Sequence, residues 1–261
     1  MLELTVRVPR RLAALVSAAL VALATAGCGG TGDDGGTAAP TSSPVPTASP
    51  TAGTTSAPPS SSPSGCPAGG QVPDVAATAP TVDLDGDGET DTLWLSGGQD
   101  RTLGAETASG AVLSTRFSSG SPFAASALAQ RLADGSAIVL LDTGRSVALY
   151  AVVDCGLVAT TNVQGRQYTF DLGFTGHGTG VSCADVGAGL QLVGLNALPA
   201  EAGDTFQVTR TPIELHDGGR SARHGTTEVV ADGVPADDPA VTDARTVSCA
   251  DAPPPVKEPQ G

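Results

Sequence analysis

The sequence is poor in cationic and aromatic residues. Lys257 is the single lysine, and 13 Lys and Arg residues face 27 Asp and Glu residues, which gives a formal net charge of -14. Such a chain has no polybasic surface, so we predict no nucleic-acid partner and no electrostatic attraction to anionic lipid. Five Phe, two Tyr and one Trp also leave little aromatic surface for a sugar-stacking cleft.

Nucleotide and zinc motifs are also missing. The chain has no Gly-x-x-x-x-Gly-Lys-Ser/Thr loop, no Cys-x-x-Cys pair and no Cys/His cluster. Leu95–Gln99 reads Leu-Ser-Gly-Gly-Gln, which resembles the signature motif of ABC-transporter ATPases. Without a phosphate-binding loop we interpret this run as a Gly-rich turn between strands, and we predict no nucleotide ligand.

The first 28 residues have the pattern of an export signal. Three arginines precede the apolar run Leu12–Leu23, which is too short to span a bilayer, and the small residues Ala24–Cys28 follow. This pattern resembles a bacterial lipoprotein signal peptide, although Thr25 stands where the family usually carries leucine. The resemblance implies cleavage after residue 27, palmitate-type lipidation of Cys28 and attachment to the extracytoplasmic face of the cell membrane.

Two further segments are predicted to be disordered. Residues 28–65 consist of the lipidated cysteine and a Gly/Ser/Thr/Pro tether, which cannot bury enough apolar area to offset its ordering entropy. Residues 252–261 form a Pro-rich tail to which the same reasoning applies. The remaining residues, 66–251, are long enough to form one extracytoplasmic domain with a real core.

Four cysteines in this domain predict two disulfides. In an exported protein an even number of cysteines indicates disulfides, and four cysteines allow three connectivities that sequence alone does not separate. We prefer Cys66–Cys155 and Cys183–Cys249. The second pair is favoured because both of its cysteines lie in a Val-Ser-Cys-Ala-Asp segment, which suggests two equivalent neighbouring strands.

The run from Asp83 to Asp91 is the most informative stretch of the sequence. Its alternating carboxylates would repel one another unless a hard cation lay among them. Positions 1, 3, 5 and 9 supply side-chain oxygens, position 7 supplies a backbone carbonyl, and Gly88 permits the sharp turn. The sequence therefore predicts one Ca²⁺ site, whose ligands are Asp83, Asp85, Asp87, Glu89 (through its backbone carbonyl) and Asp91.

The residues after this loop indicate which kind of calcium loop it is. An EF-hand is disfavoured because Trp94 occupies the position of its bidentate glutamate, and because Thr92–Leu95 has the pattern of a strand. The pattern Asp-x-Asp-Gly-Asp-Gly-x-x-Asp followed by an apolar strand resembles the FG-GAP or VCBS-type repeat. That resemblance implies calcium bound between strands of a propeller blade. A complete propeller of that family has seven blades, which this chain is too short to supply.

Short apolar runs separated by Gly and Asp turns predict a mainly β domain. A weak period of about 50 residues, in the segments 83–110, 134–150 and 185–195, favours a propeller-like stack of about three four-stranded meanders. A β-sandwich is the alternative. One short helix is expected at 122–132, because Ser121 and Pro122 have the pattern of an N-cap followed by proline at the first helical position.

These features favour a lipid-anchored, calcium-stabilised cell-surface domain with a non-catalytic binding or structural role. Its expected contacts are the membrane, through the lipid on Cys28, and a cell-wall polymer or an envelope protein. The alternative is a secreted hydrolase, or an accessory protein of one, with a site near the loop 174–180, where His177 lies among glycines. No catalytic residue is predicted from the sequence.

Overall fold

The computed structural model describes residues 65–173, 178–200 and 203–259. The predicted signal peptide, Cys28 and almost all of the tether lie outside these residues, as does the segment 174–177 with His177. Within the described part of the chain, no helix is long and apolar enough to cross a membrane.

The described residues form fifteen β-strands, a short 3-10 turn (Asp217–Gly219) and one five-residue helix. The elements in chain order are β1 (Ala77–Pro80), β2 (Thr92–Ser96), β3 (Thr102–Glu106), β4 (Val112–Arg116), β5 (Ser126–Arg131), β6 (Ala137–Asp142), β7 (Ser146–Val153), β8 (Gly156–Ala159), β9 (Thr169–Asp171), β10 (Gly178–Asp185), β11 (Leu190–Pro199), β12 (Phe206–His216), β13 (Ser221–His224), β14 (Glu228–Val234), α1 (Pro239–Asp243) and β15 (Val256–Lys257). The prediction of a mainly β domain is confirmed.

The strands form three antiparallel sheets, and none of them closes on itself within the described residues. The first sheet is the meander β1-β2-β3-β4. The central sheet has the order β15-β5-β6-β7-β8, and β9 also pairs with β7. The third sheet has the order β10-β11-β12-β13, and β14 also pairs with β12.

The central sheet is buried on both faces. Side chains alternate along a strand, so Val139 and Leu141 of β6 enter the core shared with the first sheet. Ile138 and Leu140 enter the core shared with the third sheet. A third apolar cluster lies between the third sheet and α1, where Val241 packs with strand residues. The three sheets therefore pack as layers in chain order, with the central one in the middle.

The predicted helix at 122–132 is wrong, because this segment contains strand β5 (Ser126–Arg131). Ala127 and Ala129 pack in the core of the first sheet, whereas Leu128 and Leu132 pack in the core of the third. The side chains of β5 therefore alternate with the period of a strand, and both of its faces are apolar. In sequence it lacks the polar alternation of a half-buried strand, and its Ala, Leu and Gln content favours a helix.

The predicted disorder of residues 252–261 is also wrong for the part that the structure describes. Val256 and Lys257 form β15, paired with Ala127 and Ser126 of β5. Val256 and Glu258 are buried and Lys257 is exposed, which is the alternation of a strand with one covered face, and β15 is the end strand of its sheet. The tail is therefore an edge strand of the central sheet.

The structure pairs Cys66 with Cys155 and Cys183 with Cys249, the two pairings preferred from the sequence. Their Cα atoms are 5.5 and 4.4 Å apart. The two Val-Ser-Cys-Ala-Asp segments lie side by side through a parallel bridge between Val181 and Val247. The sequence recurrence therefore corresponds to two neighbouring extended segments.

Candidate metal site

Three carboxylates of the predicted loop converge before strand β2. One oxygen from each of Asp83, Asp85 and Asp91 lies within 4.8 Å of the others. Asp91 is buried, and the other two are half-buried. We refer to these three residues as the acidic triad. Among the described residues, it is the one cluster of three or more His, Cys, Asp or Glu side chains close enough to share a metal ion.

Asp91 is the most enclosed member of the triad, with 2% of its surface exposed. Its Oδ2 accepts a hydrogen bond from the Leu84 N–H at 2.7 Å, and its Oδ1 accepts one from the Ala108 N–H at 2.9 Å. Burial raises the pKa of Asp91, the two backbone hydrogen bonds partly oppose this, and the negative charges of Asp85 and Asp83 raise it further. A cation beside Asp91 would favour its charged form.

Asp83 determines how the loop turns. Its Oδ1 accepts from the Gly86 N–H at 2.6 Å, and its Oδ2 accepts from the Gly88 N–H at 3.1 Å. Gly86 and Gly88 have φ angles of 86° and 93°, in the left-handed region that residues with a Cβ rarely adopt. The two glycines therefore let the backbone wrap around the Asp83 carboxylate.

Arg131, at the end of β5, joins the loop to the central sheet. Its Nε donates to the Asp83 carbonyl at 3.1 Å, and its NH2 group lies 3.4 Å from Asp83 Oδ1. One guanidinium cannot neutralise three carboxylates, so the triad retains an excess of negative charge when it is ionised. Arg131 could not be identified from the sequence, because it is 48 residues from Asp83 and belongs to no motif.

The start of the domain covers the other side of the loop. The Cys66 N–H donates to Asp85 Oδ2 at 2.7 Å, and the Cys66 carbonyl accepts from Ser109 Oγ at 2.6 Å. A Cβ on Gly65 would lie 2.6 Å from Asp85 Oδ2, so the backbone approaches the carboxylate closely. Because Cys66 is also bonded to Cys155, the disulfide and the acidic triad hold the same point of the chain.

The two other predicted ligands lie outside the triad. Asp87 Oδ1 accepts from the Glu89 N–H at 2.8 Å, and a Cβ on Gly65 would lie 2.8 Å from Asp87 Oδ2. Glu89 is exposed. The structure therefore brings together three of the four predicted carboxylates, and the roles of Asp87 and of the Glu89 carbonyl stay predictions.

The donor set fits a hard divalent cation. Calcium binds carboxylate oxygens at about 2.3–2.6 Å, so two of its ligand atoms can be up to about 5 Å apart. The separation within the triad meets that requirement. All the donors are oxygens, which suits Ca²⁺ and not the nitrogen and sulfur ligands typical of structural zinc. The residues present could therefore hold calcium.

Two further aspartates, Asp134 and Asp185, close turns in the other two sheets. Asp134 and Asp185 follow Asp83 at successive intervals of 51 residues. Asp134 Oδ1 accepts from the Ser136 N–H at 2.9 Å, and Asp185 Oδ1 accepts from the Gly187 N–H at 2.8 Å. Each aspartate closes a turn next to a strand of a different sheet, but no metal-binding cluster surrounds the second and third among the described residues.

Of the segment proposed for the alternative site, only residues 178–180 are described, at the start of β10. Comparisons of the chain with protein-family models, with curated proteins and with solved structures found no match. The function must therefore be inferred from the chain's own residues.

Proposed function

We propose that this chain is a lipid-anchored, extracytoplasmic β domain that binds one calcium ion and serves as a non-catalytic binding or structural module. The observation that carries this proposal is the convergence of Asp83, Asp85 and Asp91 between the start of the domain and the central sheet. A cation at this position would link segments that are far apart in sequence. Its role is therefore to hold the domain in shape.

In this proposal Asp83, Asp85 and Asp91 are ligands, and Asp87 and the Glu89 carbonyl complete the shell. The ion would supply charge neutralisation for the buried Asp91 carboxylate and its two neighbours. Sites of this sort in extracellular modules bind calcium with dissociation constants of about 10⁻⁴ to 10⁻³ M, which suits permanent occupancy outside the cell.

The proposed architecture is a short, open stack of propeller-like units. Each of the three sheets contains one of the segments that begin at Asp83, Asp134 and Asp185, and each of these aspartates closes a turn before a strand. This arrangement supports a repeat of the FG-GAP or VCBS type with three copies. The first copy alone keeps its full set of carboxylates.

The calcium proposal predicts a binding stoichiometry. Equilibrium dialysis of the full chain against calcium at neutral pH should find one ion per chain, and Asp85→Asn should abolish this binding because it removes a charged ligand. Asp74→Asn is the matched control, since Asp74 is exposed, lies outside the loop and undergoes the same change of charge. Equal calcium binding by the Asp85 and Asp74 variants would contradict the assignment of the site.

The anchor proposal is tested by fractionation of cells that express the chain. We expect the wild-type protein in the membrane fraction, and we expect Cys28→Ser to be released from it, because the lipid alone supplies the attraction in a chain of net charge -14. Cys28→Ser protein that stays with the membrane would show that the anchor is elsewhere.

A further inference from the structure

The two disulfides of the domain differ in their surroundings. Cys183 and Cys249 are 6% and 2% exposed and belong to the apolar core shared by the central and third sheets. Cys66 is also buried, but its partner Cys155 is exposed at the surface. A thiolate can attack a disulfide only where it can reach a sulfur atom. The Cys66–Cys155 bridge is therefore the more accessible of the two to a reductant of the folded protein.

A cavity connects this bridge with the solvent. Its volume is about 410 Å³, within the range that accommodates small molecules. Cys66 and Cys155 both line it, together with Asp85, Arg131 and residues at the start of β6 and the end of β7. Because Cys155 and the preceding Asp154 are exposed at its edge, a small dithiol can approach the bridge from this side.

Cys155 lies in a backbone conformation that disfavours it. Val153 of β7 pairs with Gly156 of β8, so Asp154 and Cys155 are the two central residues of a hairpin turn. Their φ angles are 51° and 56°. Two positive φ angles are the geometry of a type I′ turn, which prefers glycine at its second central position. The bridge therefore ends on a strained turn, and exposed or strained disulfides are the ones that are reduced most readily.

The other end of the bridge holds the calcium loop. The Cys66 N–H donates to Asp85 Oδ2 at 2.7 Å, whereas the hydrogen bond from the Asp87 N–H to Asp85 Oδ1 is longer, at 3.4 Å. The backbone of Gly65 is so close that a Cβ there would lie 2.6 Å from Asp85 Oδ2. The position of the Asp85 carboxylate therefore depends on the position of residues 65 and 66.

Hydrogen bonds would still attach the start of the domain if the bridge were reduced. The Cys66 carbonyl accepts from Ser109 Oγ, and Gly69 exchanges backbone hydrogen bonds with Gly110 and Val112 at 2.9 and 2.7 Å. All of these contacts join the segment to the first sheet, whereas the bridge joins it to the β7–β8 turn of the central sheet. Reduction therefore removes the link to the central sheet and leaves these hydrogen bonds in place.

We infer that the Cys66–Cys155 bridge is a redox-sensitive clamp on the calcium loop, whereas Cys183–Cys249 is structural. A dithiol reductant transfers two electrons and two protons to the bridge, so that its own sulfurs join in a disulfide and Cys66 and Cys155 become thiols. The freed segment then positions Asp85 less well, and the reduced domain binds calcium more weakly. This inference rests on the proposed calcium site. By linkage, bound calcium must oppose the reduction by the same factor.

The inference is tested by equilibrating the full chain in mixtures of reduced and oxidised dithiothreitol, with calcium and with a chelator. Free thiols are alkylated and assigned by peptide mass spectrometry. With chelator, we expect Cys66–Cys155 to be reduced in mixtures that leave Cys183–Cys249 intact. Saturating calcium should raise the ratio of reduced to oxidised dithiothreitol needed for half-reduction of Cys66–Cys155 by about 3- to 10-fold, and it should have no such effect in Asp85→Asn.

Equilibrium dialysis measures the same coupling from the side of calcium. We expect the selectively reduced wild type to bind one calcium ion about 3- to 10-fold more weakly than the oxidised wild type. The double variant Cys66→Ser/Cys155→Ser should match the reduced wild type, because it lacks the same bond. Trp94 fluorescence verifies that each form is folded, and the reduced wild type carries the test if the double variant does not fold.

Two results would overturn the inference and leave the calcium proposal standing. One is that Cys183–Cys249 is reduced before Cys66–Cys155 or together with it. The other is that oxidised and reduced wild type bind calcium with the same affinity. If the oxidised wild type binds no calcium, the calcium proposal itself is wrong and the coupling fails with it.

Discussion

Gly104→Ala is expected to lower the free energy of unfolding by about 3 kcal/mol or more, because it forces a methyl group into a fully packed aromatic ring. Gly104 of β3 lies directly opposite Trp94 of β2, and Trp94 is 2% exposed. A Cβ on Gly104 would lie 2.1 Å from Cε2 and 2.2 Å from Cζ2 of the indole. Leu93 and Leu95, which flank Trp94 in β2, pack in the core shared with the central sheet, so the Trp94 ring lies on the opposite face of the first sheet, where it covers Gly104.

The measurement is equilibrium unfolding in guanidinium chloride, followed by fluorescence. Trp94 is the single tryptophan of the chain, so its emission reports directly on the packed ring. Gly120→Ala is the matched control, since no heavy atom lies within 4 Å of a Cβ at that position and its φ is compatible with alanine. We expect the control to change stability by less than about 0.5 kcal/mol. If Gly104→Ala unfolds at the same midpoint as Gly120→Ala, the indole does not pack on Gly104.

Glu258→Gln is expected to lower the free energy of unfolding at neutral pH by about 1–3 kcal/mol, because it removes the charge of a carboxylate that accepts hydrogen bonds from Arg101 and Ala125. Arg101 donates to both carboxylate oxygens of Glu258, through Nε at 2.6 Å and through its NH2 group, and the Ala125 N–H donates to Oε2 at 2.9 Å. The Arg101 and Glu258 side chains are 16% and 7% exposed. These contacts link the segment of β15 to the first sheet through Arg101, next to β3, and to the central sheet through Ala125, next to β5.

The same pair predicts a pH dependence. Burial acts to raise the pKa of Glu258, but the hydrogen bonds from Arg101 and Ala125 and the Arg101 charge outweigh it, and the pKa is lowered below its ordinary value of 4.5. The stabilisation is therefore fully present above about pH 4.5 and is lost as the pH falls through the lowered pKa. The difference in unfolding free energy between wild type and Glu258→Gln should shrink over that acidic range.

Lys257→Gln is the control for this second prediction, because Lys257 is the exposed neighbour of Glu258 in the same strand. We expect it to unfold as the wild type does at every pH. A Glu258→Gln variant that is as stable as Lys257→Gln at neutral pH would contradict the role of the ion pair.

Features that depend on neighbouring residues could be predicted from the sequence. Strand β2 (Thr92–Ser96) lies where the sequence predicts a strand, because an apolar run follows directly after the acidic loop. The acidic triad was also predictable, since three of its four candidate carboxylates are brought together by a single short loop with glycines at the turns. Information of this kind is contained within about ten residues.

Contacts between residues that are far apart in the sequence could not be predicted. Strand β5 was predicted as a helix because a strand covered on both faces loses its polar alternation. The tail was predicted as disordered because its composition is rich in proline, whereas Glu258 is held by Arg101, 157 residues away. The contact of Arg131 with Asp83 could not be predicted either, because the two residues are 48 positions apart. The pairing of such groups is decided by how the sheets stack, which no local pattern encodes.

The central claim is that calcium bound at the acidic triad stabilises this domain, and the most direct test is thermal unfolding of the full chain with calcium and with a chelator. A ligand that binds only the native state at 10 to 100 times its dissociation constant contributes about 1.4–2.7 kcal/mol. For a domain of this size that corresponds to a rise in Tm of roughly 3–10 °C. We expect this rise in the wild type and in Asp74→Asn, and none in Asp85→Asn. A wild-type Tm that is the same with calcium and with chelator would contradict the claim.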